Sequence, residues 1–276
     1  MDDQVTESSF SRFNPFEAPD SGEVALLIAH PAHELLVHAW MCLATPTVYV
    51  LTKGAAHGLQ PRIRRTGRMI ESIGCKAGNI FGAINDQDLY DMLLRGDRSP
   101  LLKIVSTIAA ALCESGTRSV VVDSAEGRIL AHDVWRAMVD AAVFIASQNR
   151  SDPIQVIEFP IEDWSVPTDE ASFHRLKLTA QEQQAKKRSI EDYVEIATEA
   201  VKLLDGPAKT TLQMELFRNG HYSKRWLSAT TGKTPYEIHG EQQVKAGRYS
   251  QCIRFRQHVL PLLEELCELQ QGMQCA

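Results

Sequence analysis

Two histidines three residues apart, His30 and His33, follow directly on a run of five apolar residues, Val24-Ala-Leu-Leu-Ile28. An imidazole can bind a metal ion or carry a proton near neutral pH. Five successive apolar residues read as a strand buried on both faces. Pro31 stops that strand and suits the first turn of a helix, where its missing N–H costs nothing. Leu35, Leu36, Ala39 and Trp40 then recur at helical spacing. Polar groups at the carboxyl end of a parallel strand sit where α/β sheets place their ligands. His30 and His33 therefore stand at the expected site.

A second candidate is a basic cluster, Arg62, Arg64, Arg65 and Arg68, ahead of the apolar Met69, Ile70 and Ile73. It reads either as the solvated face of a helix capped by Gly74 or as an anion clamp. In the clamp, Arg64 and Arg68, one helical turn apart, would bind a phosphate or carboxylate on the substrate.

The elements around these residues alternate between strand and helix. Thr47–Thr52 is a β-branched run, residues 76–82 a short strand, and residues 118–123 and 154–159 two more buried strands. Leu101 to Cys113 has helical periodicity ended by Gly116, and residues 134–144 continue as a helix after His132. His174 to Lys187 and Ser189 to Leu204 read as helices, and Glu162 to Thr168 as a crossing loop. Glu237, His239 and Glu241 alternate, so an extended segment would place them on one face. Such a pattern predicts an α/β fold, a Rossmann-like three-layer sandwich with a mostly parallel sheet and a C-terminal helical or irregular extension. The expected divisions are an arm over 1–21, the core over 22–175 and the extension over 176–276.

The stretch Ala29-His30-Pro31-Ala32-His33-Glu34 resembles the signature of the PIG-L/LmbE-like zinc-dependent N-deacetylases, whose first strand ends Ala-His-Pro-Asp-Asp-Glu. The family's first Asp is its catalytic base and the second a metal ligand. Here Ala32 has no titratable group, whereas His33 retains the ability to bind metal. The family's later His-Pro-Asp-His places its last histidine at His132, and its oxyanion-steadying histidine has become Ile129. The resemblance thus implies a metal site of His30, His33 and His132, filled by zinc or alternatively ferrous iron. It implies metal-bound hydroxide attacking the amide of an N-acylated sugar or similar small polar substrate. Glu126, Asp86 or Glu34 would move the proton, with Glu34 also suited to fixing a ligand histidine. The family's loops near the metal correspond to those carrying His57 and Asp88, both candidates for substrate contact. The competing reading is a catalytically degenerate relative kept for ligand binding, or a scaffold repurposed for other metal chemistry.

Composition narrows the classes. The 276 residues suffice for one large domain with an appendage, and 44% hydrophobic against 23% charged residues is ordinary for a globular protein. A net charge of −6 gives no general attraction to nucleic acid or to an anionic membrane. No apolar run reaches the roughly 20 residues of a membrane span. Met1-Asp-Asp-Gln has no hydrophobic signal core. Six scattered cysteines without a CxxC pair suggest reduced thiols. A cytoplasmic protein is expected, and Tyr222, Trp226 and the terminal helix leave room for a homo-oligomer.

Overall fold

The computed structural model describes residues 23–54, 61–148, 150–161, 174–196, 201, 203–205, 207–220 and 232–272. The arm over 1–21, the crossing loop over 162–168, His57, Tyr222 and Trp226 lie outside the described residues.

Among the described residues seven strands form one sheet: β1 (Val24–Ile28), β2 (Thr47–Thr52), β3 (Lys76–Ile84), β4 (Ser119–Asp123), β5 (Gln155–Phe159), β6 (His174–Lys177) and β7 (Met214–Asn219). Their order is β3-β2-β1-β4-β5-β7-β6. The first five run parallel, and β7 pairs antiparallel with both β5 and β6. The α/β reading with a mostly parallel sheet holds.

The apolar run of β1 explains why the sheet is covered on both sides. Successive strand side chains point to opposite faces. Ala25 and Leu27 join a core with α4 (Ser99–Glu114), α5 (Leu130–Ser147) and α8 (Leu260–Gly272). Val24, Leu26 and Ile28 join the opposite core with α1 (His38–Ala44), α2 (Ile63–Ser72) and α6 (Ala180–Glu191). Between these helices in the chain lie α3 (Asp86–Arg95) and α7 (Pro235–Lys245). Among the described residues no helix is long and apolar enough to cross a membrane, and no disulfide joins the five described cysteines.

Four expectations are corrected. Pro31 does not open a helix: the chain first passes through Ala32 at φ 84°, then a 3₁₀ turn over His33–Val37, and only then α1. His174–Lys177 is strand rather than helix, with Leu176 buried between polar neighbours and paired to Glu215 of β7. A short amphipathic tetrapeptide fits either period, and pairing to a neighbour settles it. The helix that follows runs without a break from Ala180 to Glu191, past the expected join at Lys187. Glu237, His239 and Glu241 lie on α7, not on an extended segment, because Thr234 and Glu237 form a reciprocal cap at its start.

Candidate metal centre

Strand order reverses direction at β1, whose neighbours β2 and β4 lead outward to opposite edges, and such a switch point opens a crevice beyond the strand ends. Thr52 ends β2 and Asp123 ends β4, while His30 and His33 lie just past β1. The backbone there is bent tightly. Ala32 adopts a left-handed conformation, its N–H donates to Glu34 Oε2 at 2.8 Å, and Leu35 N–H donates to Ala32 O at 3.2 Å. That turn brings His30 and His33 side by side. On its flank, Gly54 leaves β2 at φ 64°, and a Cβ there would sit 2.9 Å from the Pro31 ring. Only glycine suits that positive φ and close approach together.

His132 arrives from the other side, in the first turn of α5. The loop before it is tied down: Gly127 N–H donates to Asp133 Oδ1 at 3.0 Å, and Glu126 Oε1 accepts from Ser124 Oγ at 3.0 Å and Ile161 N–H at 2.8 Å. Burial pushes the Asp133 carboxyl up to about 6.

The three imidazoles meet. Ring centroids are 5.4 Å apart for His30 and His33, 5.2 Å for His30 and His132, and 4.7 Å for His33 and His132. A zinc–nitrogen bond of about 2.0–2.1 Å with tetrahedral angles spaces ring centroids by about 5 Å. His30 Nδ1 lies 2.8 Å from Thr52 Oγ1 and 2.9 Å from Asp86 Oδ1, and Thr52 Oγ1 donates to Asp86 Oδ1 at 3.0 Å. His33 Nδ1 lies 2.9 Å from Asp123 Oδ2. With both Nδ1 atoms occupied, the Nε2 lone pairs of these two rings are left for a ligand. His132 has no side-chain hydrogen bond among the described residues.

Burial, and secondarily the neighbouring imidazoles, hold His132 well below the usual histidine range. Burial also lowers His30, against the opposing pull of Asp86. Both rings are therefore neutral near pH 7, the state in which imidazole coordinates metal. Even so, no three His, Cys, Asp or Glu side chains among the described residues are in full coordinating position. The two observations concern different degrees of freedom. Ring spacing follows from the backbone and χ1, whereas the direction of a ring nitrogen follows from the soft χ2 torsion. The donor set and spacing fit a zinc ion.

The remaining candidates fall in several places. Glu34 is fully buried behind the turn, and burial pushes it up to about 7. Asp86 backs His30, and Glu126 holds the loop to Ile161. Asp88 caps α3, accepting from Asn85 N–H at 3.0 Å. Arg64 and Arg68 stand exposed on α2, without a hydrogen bond or ion pair to the imidazoles. A cavity of about 500 Å³ lies elsewhere, lined by Lys233, Glu237, Arg254, Phe255 and Arg256, and contains none of the three histidines. Sequence reasoning gave no role to Thr52 or to Asp123. Their shared signal was position, a polar side chain at the last residue of a parallel strand.

No protein-family model and no curated protein matches the chain. Among solved structures, it is similar to a deacetylase–bog complex from the biosynthesis pathway of teicoplanin, with a TM-score of 0.46 and 15% identity over 72% of this chain and 100% of that one. It is also similar to the zinc-inhibited form of teicoplanin deacetylase Orf2, with a TM-score of 0.44 and 13% identity over 72% of this chain and 100% of that one.

Proposed function

We propose that the chain is a metal-dependent hydrolase of the PIG-L type, removing an acyl group from an N-acylated sugar or a similar small polar amide. The observation that carries this reading is the triangle of imidazoles at the switch point of the sheet, 4.7 to 5.4 Å on a side. His30, His33 and His132 would hold the ion, the first two through Nε2. When bound, zinc polarises an amide carbonyl and lowers the pKa of coordinated water toward about 7.

The chain's own groups do the rest. Asp86 keeps the proton on His30 Nδ1, and with its side chain 21% exposed it is the carboxylate of the site best placed to exchange protons with solvent. Glu34 shapes the turn that carries His33, and Glu126 holds the loop that delivers His132. Loss of a positioned base costs about 10²–10⁴-fold in rate. Slow turnover is expected in consequence.

One observation favours a second reading, a catalytically degenerate relative that binds ligand without cleaving it. Ala32 has no titratable group, and Glu34, Asp86 and Glu126 each spend an oxygen on a protein hydrogen bond. Elemental analysis of the purified full chain, with turnover of N-acetylglucosamine-type amides, separates the two. One zinc per chain and turnover abolished by His132→Ala supports the hydrolase. Full zinc without turnover supports the second reading or other metal chemistry, and no zinc overturns the metal site.

A further inference from the structure

We propose that Asp123 is the positioning residue of the imidazole cluster. Its carboxylate locks His33 as the Nδ1–H tautomer and supplies, one ring behind the ligand, the negative charge that an all-histidine donor set lacks. The inference rests on the zinc reading above.

Asp123 is the last residue of β4 and is wholly buried. One oxygen, Oδ2, lies 2.9 Å from His33 Nδ1 and accepts from Ala29 N–H, just beyond β1, at 2.7 Å. The same atom therefore sets the exit of β1 and the orientation of the ring it carries. The other oxygen, Oδ1, is buried and has no hydrogen-bond partner among the described residues. Among the described residues no lysine or arginine pairs with Asp123, and its one ion-pair contact is His33. A buried carboxylate is costly without a countercharge. A dication on the far side of His33 provides one through the ring.

The geometry makes the two outer carboxylates unequal. Asp86 is partly exposed and shares His30 Nδ1 with Thr52 Oγ1, which at 2.8 Å can accept the proton unaided. Asp123 is wholly buried, and among the described residues no hydroxyl hydrogen-bonds to His33 Nδ1 beside it. Removing the charge from Asp123 should therefore harm zinc binding far more than removing it from Asp86.

The test measures zinc affinity of the full chain by competition with a chromophoric chelator, and the tautomers of its histidines by ¹⁵N NMR without metal. Asp123→Asn keeps the side chain's shape and removes its charge. It is expected to weaken zinc binding about 10- to 100-fold, with Asp86→Asn losing less and both variants retaining the wild-type circular dichroism. The metal-free wild type is expected to show His33 protonated at Nδ1. That spectrum requires no variant, so it decides the matter even if Asp123→Asn does not fold. Zinc binding within twofold of wild type in a folded Asp123→Asn, or an Nε2–H tautomer at His33, overturns the inference while leaving the metal site standing. Failure of the wild type itself to bind zinc removes both.

Discussion

Lys186 donates to Glu215 Oε1 at 2.8 Å, and both side chains are fully buried. The pair belongs to a wider arrangement that holds the turn carrying His33 from behind. Glu215, on β7, also accepts from the N–H groups of Ala39 at 2.8 Å and Trp40 at 2.9 Å, in the first turn of α1. Lys186, on α6, donates as well to Leu36 O at 2.8 Å, within the 3₁₀ turn that begins at His33. A carboxylate at a helix N-terminus satisfies donors that have no partner inside the helix. Residues from the C-terminal third of the chain thus brace the segment that carries His33.

Breaking that pair from one side should be severe. Lys186→Met leaves a buried carboxylate with two backbone donors and no cation, which is expected to cost about 3–5 kcal/mol in urea unfolding. Lys186→Met combined with Glu215→Gln is expected to cost less, since no net charge stays buried. A double variant as unstable as the single one would contradict this account.

The backbone at Ala32 is left-handed, at φ 84°, and therefore strained. An L-residue there gives up about 1–2 kcal/mol that glycine does not, while glycine loses more freedom on folding. Ala32→Gly is therefore expected to raise stability by about 0.5–1 kcal/mol, and Ala32→Val to lower it. Thermal denaturation of the two variants gives the sign directly.

Acid sensitivity should trace in part to His38. Burial, and after it the charge of Lys186, pushes its imidazole down to about 4, and its Nε2 lies 2.9 Å from Ser189 Oγ. The unfolded chain titrates near the ordinary value of about 6.5, so between about 6.5 and 4 it binds more protons than the folded chain. Stability is therefore complete above that window and falls by about 2–3 kcal/mol as the pH drops through it. In His38→Phe the slope of unfolding free energy against pH over this range should flatten. An unchanged slope would assign the acid sensitivity to other groups.

Zinc should stabilise the fold by mass action. At 100 times its dissociation constant, an ion bound only by the native state adds about 2.7 kcal/mol. Titrating zinc into the metal-free protein is expected to raise the melting temperature, EDTA to reverse the rise, and His132→Ala to abolish it. An equal rise in His132→Ala would place zinc elsewhere on the protein.

Much of this architecture was legible in the chain. Five consecutive apolar residues at Val24–Ile28 can satisfy a period of two only if both sheet faces are covered, which requires helices on each side. Gly74 and Gly116 marked helix ends correctly, since each adopts the positive φ that favours glycine just past a helix. The short segments were less legible. His174–Lys177 is too brief for its pattern to separate strand from helix, and hydrogen bonding to β7 decided it. The alternation of Glu237, His239 and Glu241 was outweighed by a cap that spans the four residues from Thr234 to Glu237.

The sequence by itself determined the two histidines at the end of the first strand and the doubly covered sheet that presents them, because spacing and hydrophobic period act locally. Only the tertiary structure brought His132 to within 5.2 Å of His30 between ring centroids, and placed Asp123 behind His33 across 90 positions of chain. Strand order is settled by the packing of the whole core, and no local pattern encodes which strand ends will be neighbours. The polar side chains that complete the site are defined by that neighbourhood.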